Sequence, residues 1–419
     1  MQTPAERHLT QQEKPPAQAP ARDIQTSLDR VLTTHGAYVP VELLLTLGRL
    51  RYTDYEAWRS GACPTLQSVL VGDARHAVAL LNEAADWAEA LGLLPERQVY
   101  FGWGEIAGQR LAFCDDGWSD ADAVLATHYV RPAVSDDGSQ LDIFLDSGPV
   151  AALQDLRAAL CARDPRGAER SLANLASKAP GHRLLPAAAR LTDMLADLAA
   201  SLLPEATESE LHTLEHILLP TAQEVLGSDA RDLLAAFWRR LADALAGVPF
   251  DPERPALHAS YAYSRCPDWR RAVAAVEAVP NHPAEPALLA RLAVARRRAG
   301  NRNGAIEALC LLCWHFPTAA ETLLDDAEIP EVTLHQAWIE FRDIDLDPPP
   351  ETCLFPAWYL LTEPGLAHTL ASDRGTGDNG GESAFRAVRR LLDHDCIEAR
   401  KAVRAAEPWL LEAYLQLHP

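Results

Sequence analysis

Along most of this chain the apolar residues recur every three or four positions, the period of an amphipathic helix. DIQTSLDRVLTTHG predicts a short helix closed by Gly36, and VPVELLLTLGRL a second with Pro40 in its first turn. DARHAVALLNEAADWAEALGLLP carries the period up to a stop at Gly92 and Pro95. The pattern then changes. QVYFGWGEIAGQRLAF is aromatic, alternating and interrupted by Gly104 and Gly108, which predicts a β-hairpin over about 98–113. QLDIFLDS, at 140–147, predicts a further short strand.

From 148 onward the strand signals fade. Helices are expected at about 184–202, 208–227 and 229–246, and VPFDPERP (248–255) reads as a linker. Helix-turn-helix spacing resumes through 256–320, followed by a more aromatic helical stretch, a Gly-rich loop at 372–382 and a last helix in EPWLLEAYLQLHP. The expected fold is therefore mainly α. A polar tail over 1–22, expected to be disordered, precedes a helical module with a hairpin over 23–147. An irregular α-α superhelix follows, divided into 148–248, 249–320 and 321–419.

Residues 286–317 carry a recognisable arrangement. Leu289, Leu292 and Ala293 lie on a first helix and Gly300 on the turn, while Ala305, Leu309 and Leu312 lie on a second helix that Pro317 closes. Small residues let two antiparallel helices approach, and Pro ends the second one. This unit resembles a tetratricopeptide repeat, with Arg296 where that family carries an aromatic. A degenerate copy near 149–180 repeats the second-helix spacing with Ala168, Leu172, Leu175 and Pro180. A weaker one, in 256–283, uses Ala272, Val276 and Val279. The resemblance implies stacked helix pairs whose surface binds a protein or peptide, without a cofactor.

Candidate chemistry is sparse. Cys310 and Cys313 form a CxxC pair, but mid-helix and without the further ligands that zinc requires. The earlier copy has Ala173 and Ala176 at their positions, so both cysteines are expected to be small buried spacers. His212, Glu215 and His216 match the H-x-x-E-H pattern of inverted zinc peptidases, where two histidines hold the metal and the glutamate is the base. No third ligand stands out and the surroundings are all helical, so a polar face on an amphipathic helix is the favoured reading. Trp338, Phe341, Phe355, Trp358 and Tyr359 offer aromatics for a binding groove, although such spacing belongs more often to a core. GTGDNG (375–380) contains G-x-G-x-x-G without a preceding strand and beside acids that would repel a pyrophosphate.

The formal net charge of −21 argues against nucleic acid and for a partner that, if charged, is basic. No apolar run reaches the roughly 18 residues needed to span a membrane, and the N-terminus lacks the apolar segment of a signal peptide. A cytoplasmic location is expected. These features together point to a non-catalytic protein-interaction scaffold, adaptor or assembly factor. The alternatives are a zinc-dependent hydrolase using His212, Glu215 and His216, and a regulator with an N-terminal DNA-binding head, which the surplus of acids over 22–135 disfavours.

Overall fold

A computed structural model describes residues 19–114, 118–131, 147–198, 202–326, 332–368 and 380–417. The chain is mainly helical, with a small three-stranded antiparallel sheet, and divides into two compact units, 1–143 and 144–419. No helix among the described residues is long and apolar enough to cross a membrane.

The first unit contains α1 (Ala19–His35), β1 (Ala37–Tyr38), α2 (Pro40–Thr46), α3 (Tyr52–Arg59) and α4 (Ala74–Ala90). It continues with β2 (Leu94–Arg97), α5 (Ser119–Ala126) and β3 (Thr127–Val130). Gly36 ends α1 at φ +70° and turns the chain into β1. β3 is the central strand, pairing Tyr129 with Tyr38 on one side and with Pro95 on the other. Asp73 caps α4, its side chain accepting from the Arg75 amide at 3.0 Å.

The expected hairpin at 98–113 is present as a folded-back loop, held by Gly102 N–H to Gln109 O and Leu111 N–H to Tyr100 O. The sheet itself lies elsewhere, in short segments with little strand pattern; β2 is the fully exposed LPER. The loop is pinned by aromatics. Trp58 is fully buried, packs on Tyr100 and Phe113, and donates from Nε1 to Ala112 O at 2.9 Å. Beside it the Arg59 guanidinium lies 4.4 Å from the Trp103 ring centre and 5.3 Å from that of Tyr100. Its Nε donates to Phe101 O at 3.0 Å, so the cation ties the loop to α3 through both ring faces and backbone.

The second unit is a succession of packed helices. It begins with α6 (Ser147–Cys161), α7 (Pro165–Lys178) and α8 (Leu185–Asp197). Next come α9 (Thr207–Thr213), a π-turn over Leu214–Leu218, α10 (Leu219–Leu226) and α11 (Ala230–Ala244). Two helix pairs follow: α12 (Ala259–Arg265) with α13 (Trp269–Glu277), and α14 (Pro286–Arg298) with α15 (Arg302–His315). The rest comprises α16 (Pro317–Leu324), α17 (Val332–Arg342), α18 (Phe355–Thr362), α19 (Gly380–Asp393), α20 (Ile397–Ala406) and α21 (Pro408–Leu417).

Packing continues across two of the expected divisions inside this unit. One buried cluster runs from Leu289 through Leu324, Trp338 and Phe385 to Tyr414, so the core is continuous across residue 320. Within the segment 248–255, Phe250 packs against the cluster that includes Val276, Leu288 and Leu292 and lies edge-on to His258. Of the tail expected to be disordered over 1–22, residues 19–22 belong instead to α1, and 1–18, like most of the strand expected at 140–147 and the Gly-rich loop up to 379, lie outside the described residues.

Gly381 marks the tightest approach in the C-terminal core. A Cβ there would overlap the carbonyl oxygen of Cys353, which is backbone and cannot swing away. Gly381→Ala is therefore expected to destabilise the protein by about 1–3 kcal/mol through overpacking, read as a lower Tm or denaturation midpoint.

Candidate functional site

The helix from Thr207 to Leu226 cannot run regularly, because Pro220 has no N–H and its ring crowds the carbonyl one turn back. The backbone answers with the π-turn, in which Leu219 N–H reaches Leu214 O, five residues earlier. Thr221 Oγ1 donates to the Ile217 carbonyl at 2.6 Å, just before the proline. Glu215 sits on this turn.

Its carboxylate accepts a 2.5 Å hydrogen bond from the Tyr261 hydroxyl on α12. Arg265, one turn further along α12, donates to the same hydroxyl at 3.1 Å. Burial first, and the Glu215 hydrogen bond next, hold the Tyr261 phenol above its ordinary range, so it remains a protonated donor. Two guanidinium groups share the Tyr261 ring, Arg265 and Arg291 each 5.1 Å from its centre, and Trp238 meets it edge-on. Arg291, on α14, donates to Ser260 Oγ at 3.3 Å. Burial pulls Arg291 down to about 10, which still leaves it charged at neutral pH. Among the described residues, neither Arg265 nor Arg291 has a carboxylate at ion-pair distance.

Ser260 and His258 are also in contact, with Ser260 Oγ 2.8 Å from His258 Nδ1. The pair has the composition of a nucleophile and base, but its geometry is that of a helix cap. His258 Nδ1 accepts from the Ser260 amide at 3.3 Å, and Ser260 is fully buried. A substrate carbonyl has no approach to that oxygen. Burial, then the nearby Arg291, lowers His258 to about 4 and keeps the ring neutral as a cap acceptor.

The sequence-derived candidates fall into four groups. His212 and His216 are exposed, their ring centres 4.6 Å apart, but Glu215 is turned to Tyr261. No set of three His, Cys, Asp or Glu groups able to hold a metal ion is found among the described residues. Trp338, Phe341, Phe355, Trp358 and Tyr359 are all buried, packing on one another in the C-terminal core. Cys310 and Cys313 are buried and unpaired, and burial raises both thiols well above their ordinary range.

The repeat positions divide by copy. Leu289, Leu292, Ala293, Ala305, Leu309 and Leu312 are buried between α14 and its neighbours, and Gly300 makes the turn at φ +87°. Pro317 is exposed and opens α16 directly after α15 ends. In the earlier stretch Ala168 and Leu175 are buried, Leu172 is half-buried and Pro180 exposed. The proposed equivalence of the cysteines with Ala173 and Ala176 is corrected, because those alanines are exposed. α15 has further helices packed over its cysteine face; α7 presents that face to solvent.

Sequence reasoning passed over Tyr261, Arg265 and Arg291. The available signal was charge: residues 256–304 hold eight arginines against three acids, within a chain whose net charge is −21. No family model matches the chain, and no match is found among the curated proteins or the solved structures.

Two outcomes follow from the burial of these groups. Thiol-labelling reagents are expected to modify exposed Cys396 in the folded protein and to reach Cys310 and Cys313 only on unfolding, as read by mass spectrometry of labelled peptides. His258 and His128 both fall from 6.5 to about 4, in each case chiefly by burial. The unfolded chain therefore binds more protons than the folded one between those values, so stability falls as pH drops from 6.5 toward 4. His258→Asn, which keeps a cap acceptor without a titrating ring, should flatten that fall in Tm.

Proposed function

We propose that this chain is a non-catalytic, cytoplasmic interaction scaffold, adaptor or assembly factor that engages a protein or peptide through its second unit. The observation that carries the reading is the run of helix pairs α12–α13 and α14–α15, each joined by a short turn and packed on the next. Helix pairs in series offer an extended surface whose recognition residues vary independently of the core. The tetratricopeptide-like spacing over 286–317 supports the same reading. So does the condition of the reactive side chains: the Ser260–His258 pair and the Cys310–Cys313 pair are enclosed by packing.

A zinc-dependent hydrolase is the second reading, favoured by one observation, the side-by-side exposed rings of His212 and His216. It requires Glu215 to leave Tyr261 and a third ligand to come from outside the described residues.

Crosslinking of the full-length protein in its native extract, followed by peptide mapping, is expected to join a defined protein partner to residues within 256–320. Elemental analysis of purified protein separates the two readings. Stoichiometric zinc lost in His212→Ala and His216→Ala, together with hydrolytic turnover, would overturn the scaffold.

A further inference from the structure

We propose that Arg265 and Arg291 form a binding site for the carboxylates of an acidic peptide segment; the proposal deepens the scaffold reading and rests on it. The argument begins with a surplus of positive charge. Two guanidinium groups converge on the Tyr261 ring, while Glu215, the one carboxylate bonded within the cluster among the described residues, accepts from the Tyr261 hydroxyl. Arg291 is half-buried, and its one side-chain hydrogen bond among the described residues goes to the neutral Ser260 hydroxyl. Arg265 is exposed and, among the described residues, its side chain bonds only to the Tyr261 hydroxyl. A guanidinium presents five N–H donors in a fixed fork, so among the described residues most donors of both groups have no protein acceptor.

The surroundings hold this arrangement in place. Ser260 Oγ is fixed by His258 Nδ1 at 2.8 Å, and the Tyr261 ring is fixed by Glu215 at one end and by Trp238 on its edge. Arg291 is thus anchored at Ser260 and stacked on an aromatic face, with little freedom left to lose on binding. A planar carboxylate matches the fork in bidentate fashion. Since both guanidinium carbons lie 5.1 Å from one ring centre, they are at most about 10 Å apart, close to one screening length at moderate salt. Neighbouring acidic side chains of one peptide fit that span.

The overall charge of −21 does not oppose this. Screening removes most of the repulsion from acids farther than about 8 Å at physiological ionic strength, so the local excess around α12 and α14 decides. The expected partner segment is acidic, opposite in sign to the one the total charge suggests.

The test uses full-length protein and a short fluorescein-labelled polyglutamate peptide, with polyglutamine as the neutral probe, read by fluorescence anisotropy. Binding of polyglutamate, about tenfold weaker in Arg265→Gln and weaker again when Arg291→Gln is added, supports the assignment. Arg265 is exposed, so Arg265→Gln alone carries the test if the double variant melts early. Unchanged affinity in Arg265→Gln, or equal binding of polyglutamine, overturns it. Tighter binding of a single-stranded oligonucleotide through the same two arginines also overturns it, in favour of nucleic acid. The crosslinked partner separates the two levels. If it is retained by Arg265→Gln, the scaffold stands and the arginine site falls. If no partner crosslinks while polyglutamate binding tracks the arginines, the site stands and the scaffold falls.

Discussion

The second unit depends on covering α15 from two directions. On one side Ala308 meets Leu288, Leu292 and Ala293 of α14, with Val276 of α13 behind them. On the other, Ile306, Leu309, Cys310 and Cys313 enter the large cluster that includes Phe341, Phe355, Trp358 and Phe385. A helix apolar on most of its circumference is stable only in the interior, and its low charge over AIEALCLLCWHFP reflects that position. Small side chains are needed where the later helices approach. Cys310 and Cys313 provide them, and the same enclosure that makes them useful for packing removes the thiolate that chemistry would need.

Much of this architecture was legible in the pattern of apolar residues. Helix limits at Gly36, Gly300 and the start of α16 followed from residues with one backbone role each, and the core of α14 and α15 followed from spacing. The small sheet was not legible. Its strands are two to four residues long, and LPER is exposed throughout, so no alternation exists to be read. The tyrosines that hold it do their work through distant partners, such as the 3.1 Å bond from the Tyr38 hydroxyl to Leu81 O. The comparison of Cys310 with Ala173 failed for a related reason. Spacing reports which residues share a helix face, whereas burial depends on what is packed outside that face.

The candidate site was illegible for a stronger reason. Glu215, Tyr261 and Arg291 are separated widely in sequence and meet only because the π-turn and two successive helix pairs bring them together. Pro220 had a readable local consequence, a disturbed helix, but its effect on Glu215 depends on how the turn is accommodated. Charge gave the one early signal, and summing it over the whole chain concealed it. A net of −21 is compatible with an arginine-rich stretch, because Arg271 and Arg296 are already neutralised by Asp243, Asp268 and Glu277.

That pairing pattern distinguishes Arg265 and Arg291 from Arg271 and Arg296. An arginine held by a nearby acid is explained by the fold itself, as in the bond of Arg296 to the Gly304 carbonyl and Glu277. A half-buried arginine without such an acid costs stability, since its desolvation is not offset by a counter-charge. The Tyr261 ring recovers part of that cost through cation–π attraction, and Ser260 recovers a further part. What remains is a cationic surface with a fixed shape, which an external anion would stabilise more strongly than it could a flexible surface lysine. The π-turn, the buried His258 cap and the protonated Tyr261 then have a common consequence: each restricts the motion of the aromatic and hydroxyl groups on which the two guanidinium forks rest.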